Sequence, residues 1–186
     1  MLLALLIASS LGDRIADRAG AFVGVATRSD CSAFTRAIYG HEGIDLAASP
    51  ARPGENGVTN IHRLARSRRA LHSRPRRGDL VFFRDTTSRG GLTHIGIVDS
   101  VDGGGRATFV HRASRGVVRS RIDLRHPRSL RSNDVLRKSP RRLAGELVAG
   151  FASPDRLSGS RPRTPYRRVD TASRSARGSG RNRRRS

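Results

Sequence analysis

Cys31 is the only cysteine in 186 residues and lies in Arg28-Ser29-Asp30-Cys31-Ser32-Ala33-Phe34. It has no partner for an intramolecular disulfide, so any chemistry it performs is thiol chemistry. Two histidines downstream complete a candidate set: His94 in Leu92-Thr93-His94-Ile95-Gly96-Ile97-Val98, and His111 in Phe109-Val110-His111. Only the thiolate attacks, and a free cysteine has a pKa of about 8.5. A nearby imidazole can take the thiol proton, and a further polar group can hold that imidazole by its other ring nitrogen. Cys, then His, then a second polar residue is thus the order of nucleophile, base and orienter in a class of cysteine hydrolase. The plainer alternatives are a small buried apolar cysteine and strand histidines that only pack. His41, His62, His72 and His126 have no spacing that suggests a metal site.

These three residues need elements to bring them together. Asp30, or Ser29, is a helix N-cap candidate, and Cys31, Phe34, Thr35 and Ile38 follow at helical spacing towards Gly40. Cys31 then falls in the first turn, where the helix N-terminus would lower the thiol pKa and backbone N–H groups could hold an oxyanion. Upstream, residues 13–23 form a short helix with Ile15, Ala19 and Phe22 on one side. A loop over residues 43–57 leads to an amphipathic helix carrying Val58, Ile61, Leu64, Ala65 and Leu71, which Pro75 ends.

From Gly78 the period becomes that of strands. Residues 79–83, 93–101, 107–113 and 117–124 read as successive strands, with a hairpin at Asp102-Gly103-Gly104-Gly105. Residues 143–151 form a closing strand. If Asp102–Gly105 is the loop, Val101 pairs with Arg106 and His94 faces Ala113. His111, two residues from Ala113, then shares His94's face; a one-residue bulge would separate them. Helices followed by an antiparallel meander make an α+β domain. The basic stretch 125–142 has no assigned structure.

Composition sets the outer limits. The net charge is +22, and Lys138 is the single lysine among 37 basic residues. Such a charge draws the chain to polyanions, although so high an arginine share also fits a GC-rich genome. The aromatic content of 4% gives little base stacking, so no specific nucleic acid is expected. Residues 161–185 hold ten arginines against Asp170, and residues 158–186 are read as a disordered Arg-rich tail able to bind anionic polymers. Residues 1–12 start with an eight-residue apolar run, too short to span a bilayer. They are read either as an export signal without its basic region or as the start of a buried helix. The domain itself is placed at residues 13–157.

Four motifs in order resemble the NlpC/P60 family: Asp30-Cys31-Ser32-Ala33-Phe34, Pro75-Arg76-Arg77-Gly78-Asp79-Leu80-Val81-Phe82-Phe83, Thr93-His94-Ile95-Gly96-Ile97-Val98, and Phe109-Val110-His111. Gly43-Ile44-Asp45-Leu46 fits as well. The resemblance implies a papain-like α+β fold, with N-terminal helices packed on a small antiparallel sheet. It implies a monomeric cysteine peptidase of bacterial peptidoglycan peptides, cutting between γ-D-glutamyl and a diamino acid, without metal or organic cofactor. Cys31 would be nucleophile, His94 base and later acid, and His111 the orienting residue. Location in the envelope or periplasm goes with that reading. Two departures stand out: Ala33 replaces the family's glycine, and the tyrosine expected about a dozen residues before the cysteine is missing. The Cys-then-His order excludes the permuted lipid acyltransferases. It leaves open a CHAP-like amidase, or an inactive basic core that binds anionic envelope polymer or nucleic acid.

Overall fold

The computed structural model describes residues 9–159. Residues 1–8 and 160–186, which hold most of the proposed signal and tail, lie outside the described residues. Helix α1 spans Leu11–Gly20, α2 Cys31–His41 and α3 Gly57–Ser67. Strands β1 (Leu71–His72), β2 (Leu80–Arg84), β3 (Leu92–Val101), β4 (Arg106–Ala113) and β5 (Gly116–Asp123) follow. Then come β6 (Val135–Lys138), β7 (Arg141–Leu143), the single turn α4 (Ala144–Leu147), β8 (Val148–Ala152) and α5 (Pro154–Ser158). The main sheet runs in the order β1-β8-β2-β3-β4-β5, with β6 and β7 in a separate two-stranded sheet. This is the expected α+β architecture.

The helices begin where side chains can close their free N–H groups. Ser10 Oγ accepts from Asp13 N at 3.1 Å, while an Asp13 oxygen accepts from Ser10 N at 3.2 Å, forming a capping box. The extended backbone of Ser10 starts α1 there, so the helix does not run back through Ser9. Asp30 caps α2 and Asn56 caps α3. Asn56 also donates from its amide to Leu92 O at 3.0 Å, tying the start of α3 to the start of β3.

The sheet is buried on both faces, which explains the unbroken apolar run Leu80-Val81-Phe82-Phe83. Leu80, Phe82, Ile95, Ile97 and Val110 pack with the long helices through Ile15, Phe34, Ile38, Tyr39, Ile61 and Leu64. Val81, Phe83, Val98, Phe109 and Ile122 form a second core, closed by Ala144, Leu147 and Phe151. Several sequence-based boundaries give way here. α3 stops at Ser67, and Leu71 joins a strand because Arg69 takes a positive φ of 53° and turns the chain. The closing strand is shorter than residues 143–151: Ala144–Leu147 coils to cover the second core, and only Val148–Ala152 pairs with β2 and β1. The stretch 125–142, unassigned from sequence, supplies a loop and most of the β6–β7 hairpin.

Candidate active site

Cys31 is the first residue of α2 and partly buried. Asp30 Oδ1 accepts from Ala33 N at 2.7 Å and from Ser32 Oγ at 2.8 Å. Those bonds hold the Asp30 carboxyl below its ordinary pKa and fix the first turn. Gly57, opening α3, touches Ser32 so closely that a β-carbon there would overlap its hydroxyl. The backbone N–H groups of Ile95, Ser32 and Cys31 itself point their positive ends towards the thiol and favour its thiolate form. The Ile95 contact places the thiol against β3 beside His94.

The histidines meet as the spacing argument requires, by a different path. The hairpin starts one residue out of the expected register: Val101 pairs with Ala107, not with Arg106. A shift between Val98 and Ser100 restores it, so Val98 pairs with Phe109 and Ile97 with Val110. The extra residue is Asp99, whose carboxylate holds Arg119 Nε at 2.8 Å and whose carbonyl accepts from Arg77 Nε at 2.9 Å. One displacement cancels the other. The β3–β4 ladder ends at Ile97 and Val110, short of the expected pairing of His94 with Ala113. His94 pairs instead with Phe83 on β2. Beyond that end of the ladder, Cys31 packs against the helix-side core that includes Ile95.

His94 Nε2 lies 2.8 Å from His111 Nδ1, and His111 Nε2 lies 3.0 Å from Ser120 Oγ. A single proton bridges the two rings. With His94 Nε2–H donating to His111 Nδ1, and His111 Nε2–H donating to Ser120 Oγ, Nδ1 of His94 is left free to accept a proton. The rings rest on the second core: His94 on Phe83 with centroids 6.0 Å apart, His111 on Phe109 at 4.8 Å. Gly96 makes room for them, since a β-carbon there would fall 2.8 Å from the Phe109 ring and 3.1 Å from His111 Cβ. Sequence reasoning misses both Ser120 and Gly96. Gly96 has a signal in the His-Ile-Gly-Ile motif; Ser120, in an alternating basic strand, has none.

Cys31, His94 and His111 line one cleft of about 520 Å³, together with Asp30, Thr86, Thr87, Arg112, Ser114 and the β6 residues Val135, Leu136 and Lys138. Burial controls its electrostatics. It raises the Cys31 thiol above its usual value, against the three N–H groups that lower it and with the Asp30 charge adding to the rise. The lowered thiol expected from the helix N-terminus is therefore not found: desolvation outweighs it. Burial also depresses His94 to about 4. His111 falls to about 3 through burial and then the neighbouring His94. At neutral pH the thiol and both imidazoles rest uncharged.

No tyrosine lines the cleft among the described residues. Tyr39 is buried elsewhere and donates to Gly78 O at 2.6 Å, pinning α2 to the entry of β2. Phe22 packs edge-on against Phe34 in a neighbouring apolar groove. Among the described residues, no cluster of three or more His, Cys, Asp or Glu is placed to hold a metal ion, and no helix is long and apolar enough to cross a membrane.

An α+β domain that sets a helix-opening thiol beside paired strand imidazoles has the layout of a thiol hydrolase. The model of the NlpC/P60 family matches residues 20–131, and the chain belongs to that family. Its members are in general cysteine peptidases and hydrolases related to peptidoglycan. Among solved structures, an NlpC/P60 family protein from Bacillus cereus ATCC 10987 is similar at 22% identity and a TM-score of 0.45, over 79% of this chain and 41% of that one. The protein Ly7917 is similar at 20% identity and a TM-score of 0.49, over 78% of this chain and 62% of its own. This chain thus spans less than two thirds of either. Among curated proteins, none matches.

Proposed function

We propose that the protein is a peptidoglycan peptide hydrolase with Cys31 as nucleophile, His94 as general base and then acid, and His111 as orienter. The observation that carries this reading is the relay Ser120–His111–His94, which ends in the cleft that holds Cys31. Since burial disfavours an isolated thiolate or imidazolium, the proton moves as attack proceeds. His94 Nδ1 takes the thiol proton while Sγ bonds to the scissile carbonyl carbon. The oxyanion so formed faces the N–H groups of Cys31 and Ser32, which helix hydrogen bonding leaves free. Collapse breaks the C–N bond, His94 protonates the departing amine, and a thioester remains. Water, giving a proton to His94, then releases the acid and restores the thiol.

We assign the bond as γ-D-glutamyl to diamino acid from the family's habit. Mass spectrometry of digested peptidoglycan fragments tests this directly. Stem-peptide fragments support the assignment, and free stem peptides released from muramyl groups would replace it with amidase action. Cys31→Ala should abolish cleavage. Full activity in that variant overturns the mechanism, and no cleavage by the wild-type chain leaves a basic binding protein.

The candidate groups all come from one chain, so a monomer suffices. We place the reaction in the bacterial envelope, where the apolar segment ahead of α1 would direct export and the basic tail would hold anionic wall polymer. Binding to such polymer that does not weaken with salt, or that survives removal of residues 158–186, argues against the tail's part.

A further inference from the structure

The β6–β7 hairpin lies beyond residues 20–131 matched by the family, yet Val135, Leu136 and Lys138 wall the cleft that holds Cys31. It is firmly seated. Leu136 packs on the second core, Arg137 Nη1 donates to Asp85 O at 3.3 Å, and Ala144 N donates to Asp134 O at 2.8 Å. Arg121 adds an ion pair to Asp134 at 2.9 Å. The wall is therefore in place before a substrate arrives.

The cleft has three charged residues on its lining: Asp30, Arg112 and Lys138. The Asp30 carboxylate is engaged by the first turn of α2. Arg112 gives one Nη2 bond to Thr27 O at 3.0 Å, while its Nε, shielded from solvent, has no partner among the described residues. Its guanidinium has no carboxylate partner among the described residues and adds to the positive field at the cleft. Lys138 is exposed and has no ion-pair partner among the described residues. It is the only lysine of the chain, and it stands at this cleft on a hairpin otherwise rich in arginine. A compact ammonium on a flexible stem can follow a carboxylate that a planar guanidinium would have to meet in one orientation.

We infer that Lys138 and Arg112 form a cationic rim that selects peptides carrying a free carboxylate beside the scissile bond. This rests on the hydrolase reading above. A γ-linked glutamyl residue meets the requirement, because linkage through its side chain leaves the α-carboxylate free. Amidation of that carboxylate removes the charge with little change of shape, and such a substrate is selected against.

The test uses the Cys31→Ala chain as a trap. It is titrated calorimetrically with an L-alanyl-γ-D-glutamyl-diamino acid peptide and with the same peptide amidated at the glutamyl α-carboxylate. The acid form should bind about three- to fivefold more tightly, as expected for a partly exposed ion pair, and less so at high salt. Adding Lys138→Ala should bring the ratio towards one. Lys138→Glu should invert it, and Lys138→Arg should keep part of it. Equal binding of the two peptides, no binding of either, or a preference unchanged by Lys138→Ala and Lys138→Glu overturns the rim. Cleavage by the wild-type chain is scored separately. Cleavage without preference sinks the rim alone, whereas preference without cleavage sinks the hydrolase reading and leaves the rim standing.

Discussion

The two faces of the sheet contribute opposite halves of the site. The helix-side core of Phe34, Ile38, Tyr39 and Ile61 carries α2 and so fixes Cys31. The other core, built from Val81, Phe83, Val98 and Phe109 under α4, carries the imidazoles of His94 and His111. The thiol and its base meet where the β3–β4 ladder opens, at the seam between the cores. Each core desolvates its own partner, raising the thiol and lowering the imidazoles. A site split in this way keeps its nucleophile and base neutral until a substrate bridges them.

The strongest break in this symmetry is His94→Ala. It leaves the helix-side core untouched and removes the proton acceptor from the other. Turnover should fall by about 10²–10⁴-fold, the usual contribution of a positioned general base. The melting temperature should also fall by several degrees, since the truncation leaves a cavity beside Phe83 and strips His111 Nδ1 of its partner. Steady-state kinetics beside a thermal melt checks both, and a loss below tenfold removes His94 from the base role.

A second test uses pH, with the sign set by the far core. His94 is depressed in the folded chain to about 4 from an ordinary 6.5. Between these values the unfolded chain binds the proton more readily, so stability rises with pH. This contribution is complete above 6.5 and is lost as pH falls towards 4, by about 3 kcal/mol in all. Asp79, raised by burial to about 7, acts with the opposite sign, giving stability that fades as pH rises through 7. Urea melts of Asp79→Asn at pH 4.5 and 7 should therefore show a steeper acid loss than wild type. Activity should follow the base alone: the acid limb of kcat/KM should lie well below 6.5. An acid limb at or above 6.5 contradicts the burial argument.

How much of this seam could be read from the chain differs by residue. Ser29 and Asp30 give the helix start away to within one residue, because short polar side chains before Cys31 serve as caps, and the structure chooses Asp30. The pairing of His94 with His111 was reachable in outcome but not in route. The shifted hairpin and the compensating bulge at Asp99 depend on Arg77 and Arg119, far along the chain, and local turn chemistry contains neither. The thiol's pKa depends on how deeply two cores bury the site, and a helix position alone says nothing of that. Leu71 continues the apolar period of α3, yet backbone geometry at Arg69 ends the helix before it. The β6–β7 wall was hidden by composition: arginine dominates its sequence, Val135 is exposed, and Leu136 alone packs on the second core.

Gly96→Ala tests whether the far face is as tightly built as the seam requires. The added methyl group meets the Phe109 ring, Val110 O at 3.0 Å and His111 Cβ. Overpacking of this kind costs about 1–3 kcal/mol in denaturant melts. Ala33→Gly, an exposed change in α2 on the helix side, should cost about 1 kcal/mol through helix propensity and leave the His94–His111 geometry alone. If Ala33→Gly lowers kcat as much as Gly96→Ala does, the division of labour between the faces is wrong.

The smallest effect, and the sharpest, belongs to Ser120→Ala. Ser120 Oγ meets His111 Nε2 on the side away from His94, and both residues are buried. In the proposed relay the hydroxyl accepts, which places the His111 proton on Nε2, leaves His111 Nδ1 to accept from His94 Nε2–H, and so leaves His94 Nδ1 bare. Without the hydroxyl, His111 can carry its proton on Nδ1 and donate it to His94 Nε2. The His94 proton then sits on Nδ1, where it blocks the thiol. Ser120→Ala should cost about 1 kcal/mol of stability, the net value of one hydrogen bond. It should lower kcat severalfold with KM unchanged, because only the fraction of chains in the active tautomer is reduced. Nitrogen-15 shifts of the two imidazoles report that fraction directly, and Ser120→Thr should restore both the shifts and the rate. If the shifts of His94 are the same in wild type and Ser120→Ala, the relay ends at His111, and the far core acts on the site by burial alone.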